Sequence, residues 1–263
     1  MHDPELPVDR LLDLSGKAAV VTGAHGGIGA GIARRLAEAG AAVAVHYRGG
    51  RDAAAALVAT ITAKGGKAIA IRAELTDLVS VRAAFAKVAE SLGPIDILVN
   101  NAARQTHSTI AGMEAGEWRD MLASNLDGVF HTTRVVTDAM VARGAGGAIV
   151  NIASIEGLQP ALTHGHYATT KAGLIMFTRA TALEFGRHGI RANAVSPGVI
   201  HAEGIEENWP EGVRRWLAAA PLGRMGDDYD VADAVLFLAS PASRFVTGAN
   251  LVIDGGVTAT PSF

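Results

Sequence analysis

Residues 22–29 read Thr22-Gly23-Ala24-His25-Gly26-Gly27-Ile28-Gly29 and directly follow the apolar run Ala18-Ala19-Val20-Val21. A short buried strand thus leads into four glycines and then into an amphipathic stretch from Ala30 to Ala39. Glycines remove the Cβ atoms that keep backbone away from a bulky group, and a helix starting there aims its free N–H groups at negative charge. The ligand such a strand–loop–helix unit expects is the pyrophosphate of a dinucleotide. A tight turn with no ligand would carry similar glycines, so the reading rests on the remainder of the chain.

Working outward, apolar runs of strand length alternate with longer helical patterns, as in parallel βαβ units. The runs predict strands over 18–21, 42–46, 68–71, 95–99, 148–152, 191–195 and 250–253. Helices are predicted over 27–39, 51–64, 78–91, 117–143, 167–187, 211–219 and 229–239. Gly40, Gly65-Gly66, Gly93-Pro94, Gly189 and Pro197-Gly198 punctuate them. No linker or internal repeat divides the chain, so 1–263 is expected to be one α/β domain, a doubly wound Rossmann fold with a seven-stranded parallel sheet and helices on both faces. Residues 1–13 would form an N-terminal extension. Ligands of such sheets bind beyond the carboxyl ends of the strands.

Composition narrows the chemistry. The chain is 49% hydrophobic but only 5% aromatic, so its core is aliphatic. A formal net charge of −3 with no run of like charges argues against nucleic acid and anionic membrane as partners. With no cysteine, disulfides, thiol catalysis and cysteine-ligated zinc are excluded, and no metal site is expected. The first ten residues are polar with two prolines and lack the apolar core of a secretory signal. No stretch approaches the roughly 20 apolar residues that span a bilayer. The expectation is a cytoplasmic protein.

Tyr167 and Lys171 stand four residues apart in a helical pattern, hence on one face and roughly 6 Å apart at Cβ. A free phenol, with a pKa near 10, is a poor base at neutral pH, and a neighbouring ammonium favours its ionised form. The pair is therefore suited to proton transfer at an alcohol or carbonyl oxygen. Ser154 ends the run Ile149-Val150-Asn151-Ile152-Ala153, where its hydroxyl can meet a substrate oxygen or, equally, cap a turn.

These residues, together with Gly23-x-x-x-Gly27-Ile28-Gly29, Asn100-Asn101-Ala102, Asn125, Pro197-Gly198 and Asp254-Gly255-Gly256, resemble a short-chain dehydrogenase/reductase over residues 14 to 256. The resemblance implies that Tyr167 is the general acid in carbonyl reduction and the general base in alcohol oxidation. It implies that Ser154 binds the substrate oxygen and that Lys171 lowers the pKa of Tyr167 and bonds the nicotinamide ribose. By the same resemblance Asn125 holds a water linking Lys171 to solvent, and Asn101 braces the central sheet beside the cofactor with Ala102. Gly23, Gly27, Ile28 and Gly29 shape the phosphate loop, while Pro197, Gly198 and Ile200 pass along the nicotinamide. The hydride chemistry belongs to the cofactor, which the protein positions.

An acidic residue after the second strand marks NAD-binding members of this fold. Tyr47 stands there instead, Arg48 follows, and no carboxylate appears before Asp52. Arginine suits a 2′-phosphate, with His25 as a second donor, so NADP(H) is expected and NAD remains possible. Glu74 and Leu75 fall where the adenine would be contacted. Two departures from the family pattern are Ala103, in place of a glycine, and Ala202, in place of a threonine that bonds the carboxamide.

Residues 200–225 would form a substrate lid rich in charge, and Arg104, Glu156, Gln159, His164 and His201 are expected to point toward the site. That mixture suits a hydroxylated substrate such as a sugar or polyol. The resemblance is shared between 3-oxoacyl carrier-protein reductases and sugar dehydrogenases, and a catalytically idle nucleotide sensor is the alternative of a different class. The helices over 117–143 and 167–187 are apolar on more than one face, which a second subunit would cover. The family commonly forms tetramers, and residues 255–263 would join another contact.

Overall fold

The computed structural model describes residues 6–259. Seven strands form one parallel sheet in the order β3-β2-β1-β4-β5-β6-β7: Ala18–Val21 (β1), Ala42–Tyr47 (β2), Lys67–Arg72 (β3), Ile95–Asn100 (β4), Gly147–Ile152 (β5), Ile190–Pro197 (β6) and Asn250–Ile253 (β7). The order reverses between β1 and β4, so a crevice opens beyond their carboxyl ends. The expected doubly wound fold is what the chain adopts.

All four β1 residues are buried, as both faces of a parallel sheet require. Side-chain alternation sorts them. Ala19 and Val21 join Val43, Val45, Val99 and Val195 on one face, covered by Gly27–Glu38 (α1), Arg51–Ala63 (α2) and Asp228–Ala239 (α9). Val20 joins Ala44, Leu98 and Ile149 on the other face, covered by Leu78–Leu92 (α3), Gly128–Arg143 (α5) and the end of Gly165–Phe185 (α6).

The long helix expected over 117–143 starts at Ala115 as α4 (Ala115–Leu122) and is broken by a π turn, Ala123–Asp127, before α5. A side chain inside that turn causes the break. The Asn125 carboxamide reaches out to another loop, and widening the helical turn lets it do so. The segment 200–225 folds into Ile205–Asn208 (α7) and Pro210–Ala219 (α8). No helix among the described residues is long and apolar enough to cross a membrane. The contact expected of residues 255–263 lies partly outside the described residues.

Candidate active site

The four glycines of the loop divide into two pairs. A Cβ on Gly23 would stand 2.9 Å from the Ala102 Cα, and one on Gly29 would stand 2.5 Å from the Asn101 Nδ2. These two glycines are required by the protein itself. Gly26 and Gly27 would meet nothing within 4 Å, and Gly27 has φ +51°. Only this second pair faces open space at the N-terminus of α1, the arrangement that admits a phosphate.

The loop is held from two sides. Asn101 donates from Nδ2 to the Thr22 carbonyl (2.9 Å) and the Gly23 carbonyl (3.2 Å), and the Thr22 hydroxyl accepts from the Asn101 and Ala102 amides. Asn101 thus ties the end of β4 to the loop after β1. On the other side, the Gly23 N–H donates to Nδ1 of His46 (3.0 Å), whose Nε2 lies 3.2 Å from the Ala73 carbonyl. Those partners fix the tautomer, with the proton on Nε2. Burial pushes the His46 pKa down to about 4, so the ring is neutral. His46 was not a sequence candidate because a histidine inside a strand run has no pattern of its own.

At the far end of β2, a Cβ on Gly50 would lie 2.9 Å from the His25 ring, so His25 rests on the turn that carries Arg48 and Arg51. Arg72 donates to the Arg48 carbonyl (3.3 Å). Among the described residues, Arg48, Arg51 and Arg72 have no carboxylate partner. Tyr47 is half-buried beside them. Glu74 uses Oε1 to accept from Thr76, and the Leu75 carbonyl faces His131 Nδ1 at 2.9 Å.

Ser154, Tyr167 and Lys171 meet at the end of β5. Ser154 caps the short turn Ile155–Gly157, accepting from the Glu156 amide (3.1 Å). Tyr167 and Lys171 sit one helical turn apart on α6, with Lys171 Nζ 5.5 Å from the phenol ring centre and donating to the Ile152 carbonyl (2.7 Å). The acidified phenol expected from the sequence is not what this site holds. Burial pushes Tyr167 up to about 12, and the Glu156 charge adds to the rise against a hydrogen bond from Ser154. Burial pushes Lys171 down to about 8. Burial is the largest cause, so the phenol is a firmly protonated donor at neutral pH.

Asn125 accepts from the Arg104 amide (2.7 Å) and donates to the Arg104 carbonyl (2.9 Å) and to Thr170 Oγ1 (3.1 Å). Its carboxamide therefore clamps the 104–109 loop to α6. Below it, Asn100 and Asn151 are register partners on β4 and β5, joined by a 2.8 Å bond and extended to Thr132 and Thr178. This buried polar network is satisfied, which rigidifies the floor of the site.

The expected substrate residues separate. Glu156 and His164 come together, with Nδ1 of His164 2.7 Å from Oε2 of Glu156. Arg104 turns its guanidinium toward Asp120 at 3.5 Å, and Gln159 and His201 are exposed. The lid charges Arg214 and Arg215 pair with Glu211 on the outer face of α8 rather than entering the site. Trp216 is the lid residue that turns inward. Its ring presses on Gly198, where a Cβ would collide with it, and its Nε1 donates to the Arg224 carbonyl (3.3 Å). The Gly198 gap is thus filled by the protein, while Pro197 is buried and Ile200 bridges Gly226. Ala103 and Ala202 are exposed.

Residues 23–258 match the family model described as enoyl-(acyl carrier protein) reductase. The chain belongs to the short-chain dehydrogenase/reductase family. It is 39% identical over 241 residues to a 3-oxoacyl-(acyl-carrier-protein) reductase of Staphylococcus aureus, covering 92% of this chain and 98% of that one. It is 38% identical over 246 residues to an L-rhamnose 1-dehydrogenase (NAD(P)(+)) of Azotobacter vinelandii, covering 92% and 96%. Its fold matches a gluconate 5-dehydrogenase of Burkholderia cenocepacia, solved in complex with NADP and tartrate, with TM-score 0.90, 35% identity and coverage of 96% and 99%. The His46 latch and the Glu156–His164 pair are observations of this chain.

Proposed function

We propose that the protein is an NADP(H)-dependent oxidoreductase that interconverts a secondary alcohol and a ketone, acting on a polar, hydroxylated substrate such as a sugar or polyol. The observation that carries the reading is the meeting of Ser154, Tyr167 and Lys171 at the carboxyl end of β5, beside the crevice that the glycine loop borders. The open backbone at Gly26 and Gly27 fits a pyrophosphate. Arg48, Arg51, Arg72 and His25, with Tyr47 in place of an acid, fit a 2′-phosphate and support NADP over NAD. Nicotinamide supplies or accepts the hydride when bound.

The residues themselves hold and move the proton. Tyr167 is held protonated by burial and is suited to give its proton to the alkoxide oxygen that forms as a carbonyl is reduced. Ser154 lies at the same strand end and steadies that oxygen. Lys171, cationic at neutral pH, offsets the charge left on the phenolate. A second reading, 3-oxoacyl carrier-protein reductase, is favoured by the 39% identity to the Staphylococcus aureus enzyme. The exposed Phe130, Met176 and Leu183 on α5 and α6 support a homotetramer.

The test is NADPH oxidation with ketoses, simple ketones and a 3-oxoacyl thioester, comparing the parent with Tyr167→Phe. Loss of turnover by a factor of about a hundred to ten thousand with unchanged NADPH affinity is expected. Turnover of the thioester alone would favour the second reading. Tight NADPH binding with no turnover of any carbonyl would make the protein a nucleotide sensor.

A further inference from the structure

Beside Tyr167 lies a chain of polar side chains that the proton chemistry does not use. Nδ1 of His164 faces Oε2 of Glu156 at 2.7 Å, and Nε2 of His164 faces Nδ1 of His107 at 2.9 Å. His107 Nδ1 also lies 3.3 Å from the Thr163 hydroxyl oxygen. His164 is buried, with its ring centre 5.9 Å from that of Tyr167 in an edge-on arrangement. Glu156 is two residues from Ser154 and bonded to its hydroxyl through the backbone.

One assignment of protons satisfies every contact in this chain. The Thr163 hydroxyl donates to the Leu162 carbonyl (2.6 Å), so its oxygen must accept, and Nδ1 of His107 carries a proton. That N–H is then shared with Nε2 of His164, which must accept. Nδ1 of His164 carries the second proton and donates it to Glu156. The chain ends on a carboxylate whose other oxygen, Oε1, has no partner among the described residues.

The backbone is bent to make this contact. Thr163 has φ +65°, the one non-glycine residue in the left-handed region among those described. A β-branched residue rarely adopts it, and such outliers gather at ligand sites. Here it presents the Thr163 carbonyl to the Ser108 amide (2.8 Å) and its hydroxyl oxygen to His107, lacing the 104–109 loop to the start of α6.

We propose that Glu156, oriented by His164 and His107, is the specificity-determining acceptor for a hydroxyl of the substrate next to the reacting carbon, selecting a neutral vicinal diol or hydroxyketone and rejecting a carboxylate there. An ionised carboxylate with its inner oxygen already occupied can only accept, so a hydroxyl satisfies Oε1 and an anion is repelled. The Glu156 charge reaches the reacting group as well, since it adds to the rise of the Tyr167 pKa and partly offsets the fall of the Lys171 pKa. Glu156 binds; His164 and His107 are positioning residues. The inference rests on the alcohol–ketone reading above.

The experiment uses the full chain with NADP+ and three substrates built on one methyl carbinol: a simple secondary alcohol, the vicinal diol and the α-hydroxy acid. The parent is expected to favour the diol over the simple alcohol by about tenfold or more in kcat/KM, and over the hydroxy acid by more. In Glu156→Gln, the amide oxygen must face the His164 N–H, so the amide donors face the substrate. The order should then invert, with the hydroxy acid gaining and the diol losing about tenfold. A merely structural role would lower all three together. His107→Asn, at an exposed ring, should weaken the diol preference chiefly through KM without inverting it. Equal treatment of the three alcohols by the parent, or an unchanged order in Glu156→Gln, overturns the proposal while leaving the oxidoreductase reading intact. Absence of turnover with every substrate overturns both.

Discussion

The two ends of the cleft are held together by different means. At the nucleotide end, side chains grip the backbone amides and carbonyls of the loop after β1, with Asn101 and Thr22 on one side and His46 on the other. At the substrate end, the 104–109 loop is fixed by side chains from distant segments, namely Asn125, Thr163 and His166. The first arrangement constrains geometry that any dinucleotide shares. The second constrains chemistry that a particular substrate needs, and it can change residue by residue without disturbing the sheet.

The sharpest break in this comparison comes from His46, the one side chain on which the nucleotide end leans from β2. His46→Leu leaves the Gly23 N–H and the Ala73 carbonyl without their partner. At about 1–3 kcal/mol for each stranded group, the loss is roughly 2–5 kcal/mol, with weaker NADPH binding because Gly23 is freed. The wild-type dependence on pH has a defined sign. The folded pKa, about 4, lies below the ordinary imidazole value of 6.5, so the unfolded chain takes up the proton first. The stability is complete above pH 6.5 and falls as pH drops toward 4, by on the order of 3 kcal/mol. Urea unfolding at neutral pH and near pH 4.5 measures both effects. A Leu variant as stable as the parent, and as sensitive to acid, would show that the latch carries no energy.

A smaller effect sharpens the same end. Arg48→Ala and Arg72→Ala remove cations that sit near the tip of β2 with no carboxylate partner among the described residues. Each should lower the ratio of NADPH to NADH affinity by about tenfold, with NADH affinity nearly unchanged, because only the 2′-phosphate loses a charge-assisted bond. Titration of both cofactors checks it. A parent preference for NADH would assign those arginines to solvent.

How legible the molecule is from its sequence follows the same division. The sheet is legible because each strand is an apolar run preceded within two residues by glycine or proline, and the structure places all seven within two residues of the expected bounds. Asn101 and the Tyr167–Lys171 pair are legible because they sit in short local patterns. The break at Asn125 is not, since nothing in Ala123–Asp127 shows that its carboxamide will seek Arg104. His46 and His107 are equally silent, as their partners lie 23 and 57 residues away in the chain. The raised pKa of Tyr167 is silent for a related reason. A neighbouring ammonium is visible at spacing four, whereas the burial that raises the phenol is a property of the whole fold.

The outer face of the lid gives the smallest expected effect, and the lid allows a direct comparison of its two faces. The segment 200–225 is rich in charge, yet α8 sorts its own residues by helical phase. Trp216 and Val213 turn inward, while Arg214 and Arg215 reach back to Glu211 on the solvent side. Glu211 is lowered in pKa by its bond to Arg214, but both groups are fully exposed, and water screens such pairs almost completely. Glu211→Ala should therefore leave kcat/KM within about twofold and the midpoint of thermal unfolding within about 1 °C. Trp216→Ala, by contrast, removes the ring that fills the space above Gly198 and should destabilise by roughly 3–5 kcal/mol, as large-to-small changes at buried aromatics do. If Glu211→Ala cost more activity than stability, the outer face of α8 would have to meet the substrate during turnover. The division of the lid into a packing face and a solvent face would then hold only for the conformation seen here.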